Sequence, residues 1–268
     1  MKISFVGAGN VAWHLAQAFE SAGPIISEVY SRDPQHARQL VGLLYDTAIQ
    51  PDLNFSESEA EVLLIAASDD ALEGIMQRIV LPPGVILATV SGSHALADLQ
   101  HLVEVYSDVP VRTGVLYPLQ TFTKGASMDY TQIPFCIEAT EEETEEALFK
   151  LAESVSPHVQ LADTEERRAL HIAAVFACNF TNQLFSIAHD LLKEEQLSFE
   201  LLKPLIRETT HKALQSADPA TVQTGPARRS DWATTNRHLN YLQEHHSDWA
   251  AMYRLLTESI RERHFEEG

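Results

Sequence analysis

Cationic residues are scarce in this 268-residue chain: 19 Lys and Arg stand against 38 Asp and Glu, a formal net charge of −19 at pH 7. Nucleic acid is a poor partner for so acidic a surface, because phosphate contacts need clustered Lys and Arg. Any bound anion must then rely on a few well-placed arginines. Cysteine is nearly absent too. Cys136 and Cys178 each sit in an apolar stretch and read as buried core thiols, not as a disulfide. No metal-ligand spacing involves them, and the His245-His246 pair has no spaced partner, so no metal site is expected. No apolar run approaches the roughly 20 residues of a membrane helix, which predicts no membrane partner. Met1-Lys2-Ile3-Ser4-Phe5-Val6-Gly7 is too short and too soon interrupted for a signal peptide. The expected setting is a reducing cytoplasm.

Hydrophobic residues make up 45% of the chain, enough for a real core. In the first half, short apolar runs alternate with helical patterns. Strands are expected at Ile3–Val6, Ile25–Tyr30, Val62–Ala66 and Val85–Val90, with a short one around Leu43–Tyr45. Helices are expected at Val11–Ala22, Pro34–Gly42 and Asp69–Arg78. This βαβ rhythm predicts a parallel sheet covered by helices on both faces. Further strands are expected at Arg112–Leu116, Phe135–Glu138 and Val159–Ala162. Thr140-Glu141-Glu142-Glu143 reads as a capping box opening a helix to about Ser154. Beyond Asp163 the strand signal ends, and helices are expected at Glu165–Leu192, Phe199–Ala217, Thr234–His245 and Asp248–Arg263. The fold class is therefore α/β: a Rossmann-type, largely parallel sheet followed by an all-α C-terminal domain. The expected division is 1–162 for the α/β domain and 163–268 for the helical one.

The first strand runs directly into Gly7-Ala8-Gly9-Asn10-Val11-Ala12 and then a helix. A strand, G-x-G-x-x-A and a helix inside a βαβ unit form the dinucleotide-binding fingerprint in its required context. Gly7 permits the tight turn, and Gly9 lets backbone approach a pyrophosphate. Ala12 keeps the helix close, and the N–H groups at Asn10 and Val11 face the phosphates. The second strand ends Val29-Tyr30-Ser31-Arg32, where NAD-binding proteins place an acid for the ribose hydroxyls. Ser31 and Arg32 suit a 2′-phosphate instead, with Arg32 as a bidentate clamp, so NADP(H) is the expected cofactor. Asp33 comes one residue later and suits a helix cap. Ser68 and Asp69 end the next strand in the zone of the cofactor's ribose and nicotinamide. Each is equally readable as an N-cap. Ser91 and Ser93 follow the fifth strand as contacts to ligand, with capping of the next helix the rival reading of Ser93. His94 stands beside them as a proton-exchanging group.

These residues carry a resemblance. Together with Ser91-Gly92-Ser93, Tyr117-Pro118-Leu119-Gln120-Thr121-Phe122, Ala173 to Asn179, and Thr224-Gly225-Pro226 followed by Arg229, Asp231, Thr234 and His238, the glycine turn resembles the Rossmann-like group with a DUF2520 domain. That group is related in architecture to pyrroline-5-carboxylate reductase, 6-phosphogluconate dehydrogenase and the F420-dependent NADP reductases. The resemblance covers essentially the whole chain. It implies an NADP(H)-dependent oxidoreductase and a homodimer formed through the helical domain, and it implies no substrate. The family often has histidine before the Pro-Leu pair, where this chain has Tyr117.

The helix from Glu165 is apolar nearly all round, which predicts burial, yet it carries His171, Asn179, Asn182 and Gln183. Buried polar groups need partners or a cavity. Ideal α geometry puts His171, Cys178 and Asn182 on nearly one face, with Asn179 about 80° away. In the related sugar-acid dehydrogenases a lysine and an asparagine one turn apart act at this helix. Asn179 matches that asparagine, while Val175 stands in the lysine position. His171 and then Tyr117 are the replacement candidates for proton transfer; a hydrogen-bonded core histidine is the rival reading of His171. Arg229, in the loop before Asp231, suits an anionic group on a small substrate, and Asn182 and Ser93 are further substrate candidates. The missing lysine and histidine also leave a second reading open, a non-catalytic NADP(H)-binding sensor or interaction protein.

Overall fold

The apolar runs near the N-terminus do form the centre of a sheet. The computed structural model describes residues 1–265. Its first part contains β1 (Lys2–Val6), α1 (Asn10–Ala22), β2 (Ile25–Tyr30), α2 (Pro34–Val41), β3 (Ala48–Ile49), β4 (Val62–Ile65), α3 (Leu72–Met76), β5 (Ile86–Thr89), α4 (Leu96–Tyr106), β6 (Arg112–Pro118), β7 (Phe135–Ala139), α5 (Glu142–Glu153) and β8 (Val159–Leu161). The eight strands lie in the order β3-β2-β1-β4-β5-β6-β7-β8. All neighbours are parallel except β6 and β7. Strand order reverses at β1, which pairs with β2 on one side and β4 on the other. In open parallel sheets ligands dock outside the carboxyl ends of the strands at such a point. Ile3, Phe5, Leu64 and Ala88 pack with Ala12, Leu15, Ala16 and Phe19 of α1 in one fully buried core layer.

Several local expectations change in three dimensions. Leu43–Tyr45 is not a strand. The N–H groups of Leu43 and Leu44 return to the carbonyls of Leu40 and Val41 at the end of α2, and that of Tyr45 goes to the Glu20 carboxylate. The edge strand is Ala48–Ile49. The helix expected at Asp69–Arg78 is a 3-10 turn, Asp69–Ala71, followed by the short α3. α4 had no clear herald in the sequence. The capping box expected at Thr140 does not form, because Thr140 N–H bonds back to Thr113 O of β6 and Glu141 becomes an N-cap without a side-chain bond. A capping box does open the next helix: Asp163 accepts from Glu166 N–H, and the Glu166 carboxylate accepts from Asp163 N–H.

That next helix is interrupted. α6 (Thr164–Ala174) passes into π-helical turns (Val175–Phe180) and then into α7 (Thr181–Glu194). Burial was expected and does not occur: Ile172, Phe176 and Phe180 are at least half exposed, and Arg167 is the buried residue of α6. Leu170 packs beside Tyr117, Cys136 and Ala162. By length and composition alone, Thr164–Glu194 is long and apolar enough to cross a membrane, a test that the core helix of a soluble protein also passes. Cys136 is buried as expected, whereas Cys178, in the π-helical turns, is exposed.

The chain divides into two compact units, Met1–Asn179 and Phe180–Gly268. Among its described residues the second unit is wholly helical, with α8 (Lys203–Gln215), α9 (Trp232–His245) and α10 (Ser247–Phe265) after α7. Asp231 caps α9 by accepting from Thr234 N–H at 3.1 Å. His238 Nδ1 meets Tyr253 Oη at 2.8 Å, tying α9 to α10.

Candidate active site

Two clefts of similar size lie within the first unit. The first, about 430 Å³, is lined by Gly7, Ala8, Gly9, Ser31, Arg32, Ser68, Gly74 and Arg78 among others. It therefore sits at the carboxyl ends of β1, β2 and β4. Gly7 has φ +115°, and a Cβ there would lie 2.3 Å from Ala66 O, so only glycine fits. Gly9 is the N-cap of α1, and a Cβ on it would meet nothing within 4 Å: the backbone borders open space. The first intrahelical bond is Trp13 N–H to Gly9 O, so the N–H groups of Asn10 and Val11 precede the helical ladder. No acidic residue occupies that first turn. Asp33, the carboxylate nearest in sequence, is turned to α2, where it accepts from Gln35 N–H at 2.9 Å. A glycine-bordered helix N-terminus with two arginines and no carboxylate in the lining fits a dinucleotide diphosphate bearing a further phosphate.

The second cleft, also about 430 Å³, is lined by Tyr117, Leu119, Gln120, Thr121, Phe122, His171, Ala174, Val175, Cys178 and Asn179. All three candidate catalytic residues meet here. Tyr117 leaves the sheet on β6, and its hydroxyl lies 3.0 Å from His171 Nδ1. Gly92 allows this approach, since a Cβ there would lie 2.6 Å from the tyrosine ring and 2.8 Å from His171 Nδ1. Burial, reinforced by the nearby Cys136 thiol and opposed by Arg167, pushes the Tyr117 pKa up to about 12. The phenol stays protonated at neutral pH, and it donates to Nδ1 or accepts from it according to the His171 tautomer.

Two buried contacts hold this arrangement. Arg167, fully buried one turn before His171, bonds the Glu138 carboxylate and the carbonyl of His94. Thr164 donates to the same carboxylate at 3.0 Å. These bonds pin α6 to β7 and to the loop after β5. On the opposite wall His14 of α1, also buried, bonds Thr123 O at 2.8 Å and Tyr130 Oη at 3.1 Å, fixing the segment that continues from Phe122. Neither Arg167 nor His14 stands in a recognisable motif, and both act across long sequence separations.

The wide π turns revise the helical projection. In place of His171, Cys178 and Asn182, they bring His171, Cys178 and Asn179 to one cleft, with Asn182 outside its lining. Such turns often mark functional sites. Other candidates disperse. Ser68 lines the first cleft. Asp69 and His94 line a separate groove of about 440 Å³ with Asp70, Glu73 and Asp98. Ser91 Oγ accepts from the N–H groups of Ser93 and His94, at 3.1 and 3.2 Å, and Ser93 donates to the Asp69 carboxylate. Ser93 does not cap α4, whose N-cap is Ala95. Arg229 and Asn182 belong to the second unit. Among the described residues no group of three or more His, Cys, Asp or Glu is placed to hold a metal ion.

The strand order and the glycine-lined cleft define a Rossmann-type dinucleotide-binding architecture. The family model described as a domain of unknown function, DUF2520, matches residues 133–260. A solved structure from Bacteroides fragilis, provisionally described as an NADP oxidoreductase, is 36% identical; the match covers 97% of this chain and 98% of that one, with a TM-score of 0.87. The chain belongs to this family of Rossmann-type proteins with a DUF2520 domain. The fold also matches a reductive aminase from Aspergillus terreus solved with NADPH and ethyl-5-oxohexanoate, at 17% identity over 100% of this chain and 94% of that one, TM-score 0.70. An imine reductase from Myxococcus stipitatus solved with NADP+ matches at 14% identity over 98% and 96%, TM-score 0.65. A comparison with curated proteins gives no match.

Proposed function

We propose that the chain is a cytoplasmic NADP(H)-dependent oxidoreductase acting on a small molecule. The observation that carries this reading is the 3.0 Å bond between Tyr117 and His171 in a cleft shared with Asn179. Gly7, Gly9 and the N–H groups of Asn10 and Val11 would hold the pyrophosphate, Ser31 and Arg32 the 2′-phosphate, and Ser68 the adjoining part of the cofactor. When bound, NADPH supplies a hydride to carbon. Protonated His171 would give the matching proton from Nε2 to the substrate heteroatom and be left neutral, while its Nδ1–H, bonded to the Tyr117 hydroxyl, keeps the ring oriented. Asn179 orients the acceptor group by hydrogen bonding. The described lining of this cleft carries no Lys, Arg, Asp or Glu. That favours an uncharged reacting group such as a ketone or an imine over the anionic substrate suggested by Arg229. The similar proteins solved with NADPH and a keto ester or with NADP+ support the same class.

The exposed apolar residues of α6 and the π turns, Ile172, Phe176 and Phe180, suit burial against a second copy of the chain, giving a homodimer. Equilibrium sedimentation checks this. The central experiment is calorimetry with NADPH followed by NADPH oxidation against ketones, ketone–amine mixtures, cyclic imines and keto acids. Turnover of one of these supports the reading. Tight NADPH binding with no turnover of any would support a non-catalytic sensor instead, and no binding would overturn the NADP(H) assignment.

A further inference from the structure

The nucleotide cleft holds a second arginine that the strand-end reading did not reach. Arg78 lines it together with Arg32, and the lining contains no Asp or Glu. In a chain with twice as many acidic as basic residues, such a cleft inverts the local charge. The neighbouring groove behind α3 shows the ordinary sign, with Asp69, Asp70, Glu73 and Asp98 in its lining. The two arginines come from opposite sides of β1: Arg32 follows β2, and Arg78 follows the helix after β4. Arg78 Nε donates to Gly74 O at 2.8 Å, which tethers the guanidinium to its own helix. Among the described residues neither Arg32 nor the terminal nitrogens of Arg78 have a hydrogen bond or ion pair to protein. Two like charges facing one cleft repel, and a phosphate monoester carrying about −1.5 to −2 charges at pH 7 neutralises both.

We infer that Arg78 is a specificity-determining residue that shares the cofactor's 2′-phosphate with Arg32, clamping it from the α3 side. This rests on the NADP(H) reading of the same cleft. Ala67, Ala71 and Ile75, in the same lining, would give the adenine an apolar wall.

The test is calorimetric binding of 2′,5′-ADP and of AMP, and of NADPH and NADH, to wild type, Arg32→Ala, Arg78→Ala and Arg78→Lys. Loss of one charge-assisted phosphate contact corresponds to about tenfold in affinity. Arg78→Ala is expected to weaken 2′,5′-ADP and NADPH by about that factor, with AMP and NADH changed less than about twofold. Arg78→Lys should lose less, since it keeps the charge but not the fork. Melting temperatures should be unchanged, because Arg78 is exposed and its protein bond is local. Equal weakening of 2′,5′-ADP and AMP, or no weakening of either, would overturn the role of Arg78. Failure of wild type to bind 2′,5′-ADP or NADPH would overturn the NADP(H) reading itself. Selective loss in Arg32→Ala with no loss in Arg78→Ala would leave that reading standing and remove only this inference.

Discussion

Two of the clefts in the first unit, those carrying the glycine turn and the Tyr117–His171 bond, have the same volume, about 430 Å³ each, and are built by different means. The nucleotide cleft is made mostly of backbone. Gly7 holds a left-handed turn against Ala66 O, Gly9 borders open space, and the end of α1 directs N–H groups outward. Its side-chain chemistry is cationic. The second cleft is made of side chains on β6, the loop after it, and α6 with its π turns, and its lining is uncharged. Its central bond joins residues 54 positions apart. A backbone site tolerates little change in shape, whereas a side-chain site depends on supports such as Arg167 and His14 that do not themselves line the cleft. Binding and chemistry are thereby separable by mutation.

The largest effect should come from the backbone site. Gly7→Ala forces a Cβ to within 2.3 Å of Ala66 O at a φ of +115°, and is expected to cost at least about 3 kcal/mol of stability. Urea unfolding measures it. A melt equal to wild type would mean that the turn is not the rigid part of the cleft.

Next, His171→Ala should lower kcat by about 100-fold, the usual scale for a lost general acid, with the NADPH Kd unchanged. Parallel loss of NADPH affinity would erase the distinction between the two clefts. Arg32→Ala should raise the NADPH Kd by about tenfold and leave NADH within about twofold. Equal weakening of both nucleotides would remove the 2′-phosphate from that cleft.

The smallest effect concerns Tyr117. Its folded pKa, pushed up to about 12 by burial, exceeds the ordinary phenol value of 10.0. Below pH 10 both states keep the proton and stability is untouched. Between pH 10 and 12 only the unfolded chain releases it, so stability falls as pH rises. Between pH 9 and 11 this amounts to about 1 kcal/mol. Tyr117→Phe should remove that part of the decline in paired unfolding curves. An identical slope in the two proteins would place the phenol in water.

The fingerprint was legible because its physics is local. Strand, Gly7, Gly9, Ala12 and helix lie within one stretch of chain, and Ser31-Arg32 ends the strand that pairs with β1. Arg78 was missed although it lines the same cleft, because its place depends on how far the short α3 runs. Tyr117, His171 and Asn179 could be nominated singly, but an ideal helix set Asn179 aside and paired His171 with Asn182. The π turns altered that projection, and nothing in the local residue pattern announced them. The expected burial of Cys178 failed for a related reason: apolar composition states what a helix prefers to contact, not which part of the chain will cover it.

By itself the sequence determined the alternating order of elements, the glycine turn and the cationic end of β2. Each follows from short-range sterics, periodicity and charge. Only the tertiary structure decided that Tyr117 and His171 bond across Gly92, that Arg167 and His14 hold the walls of their cleft, and that Arg78 joins Arg32 in the other. These depend on packing between elements far apart in sequence, where no local preference selects which side chains will meet.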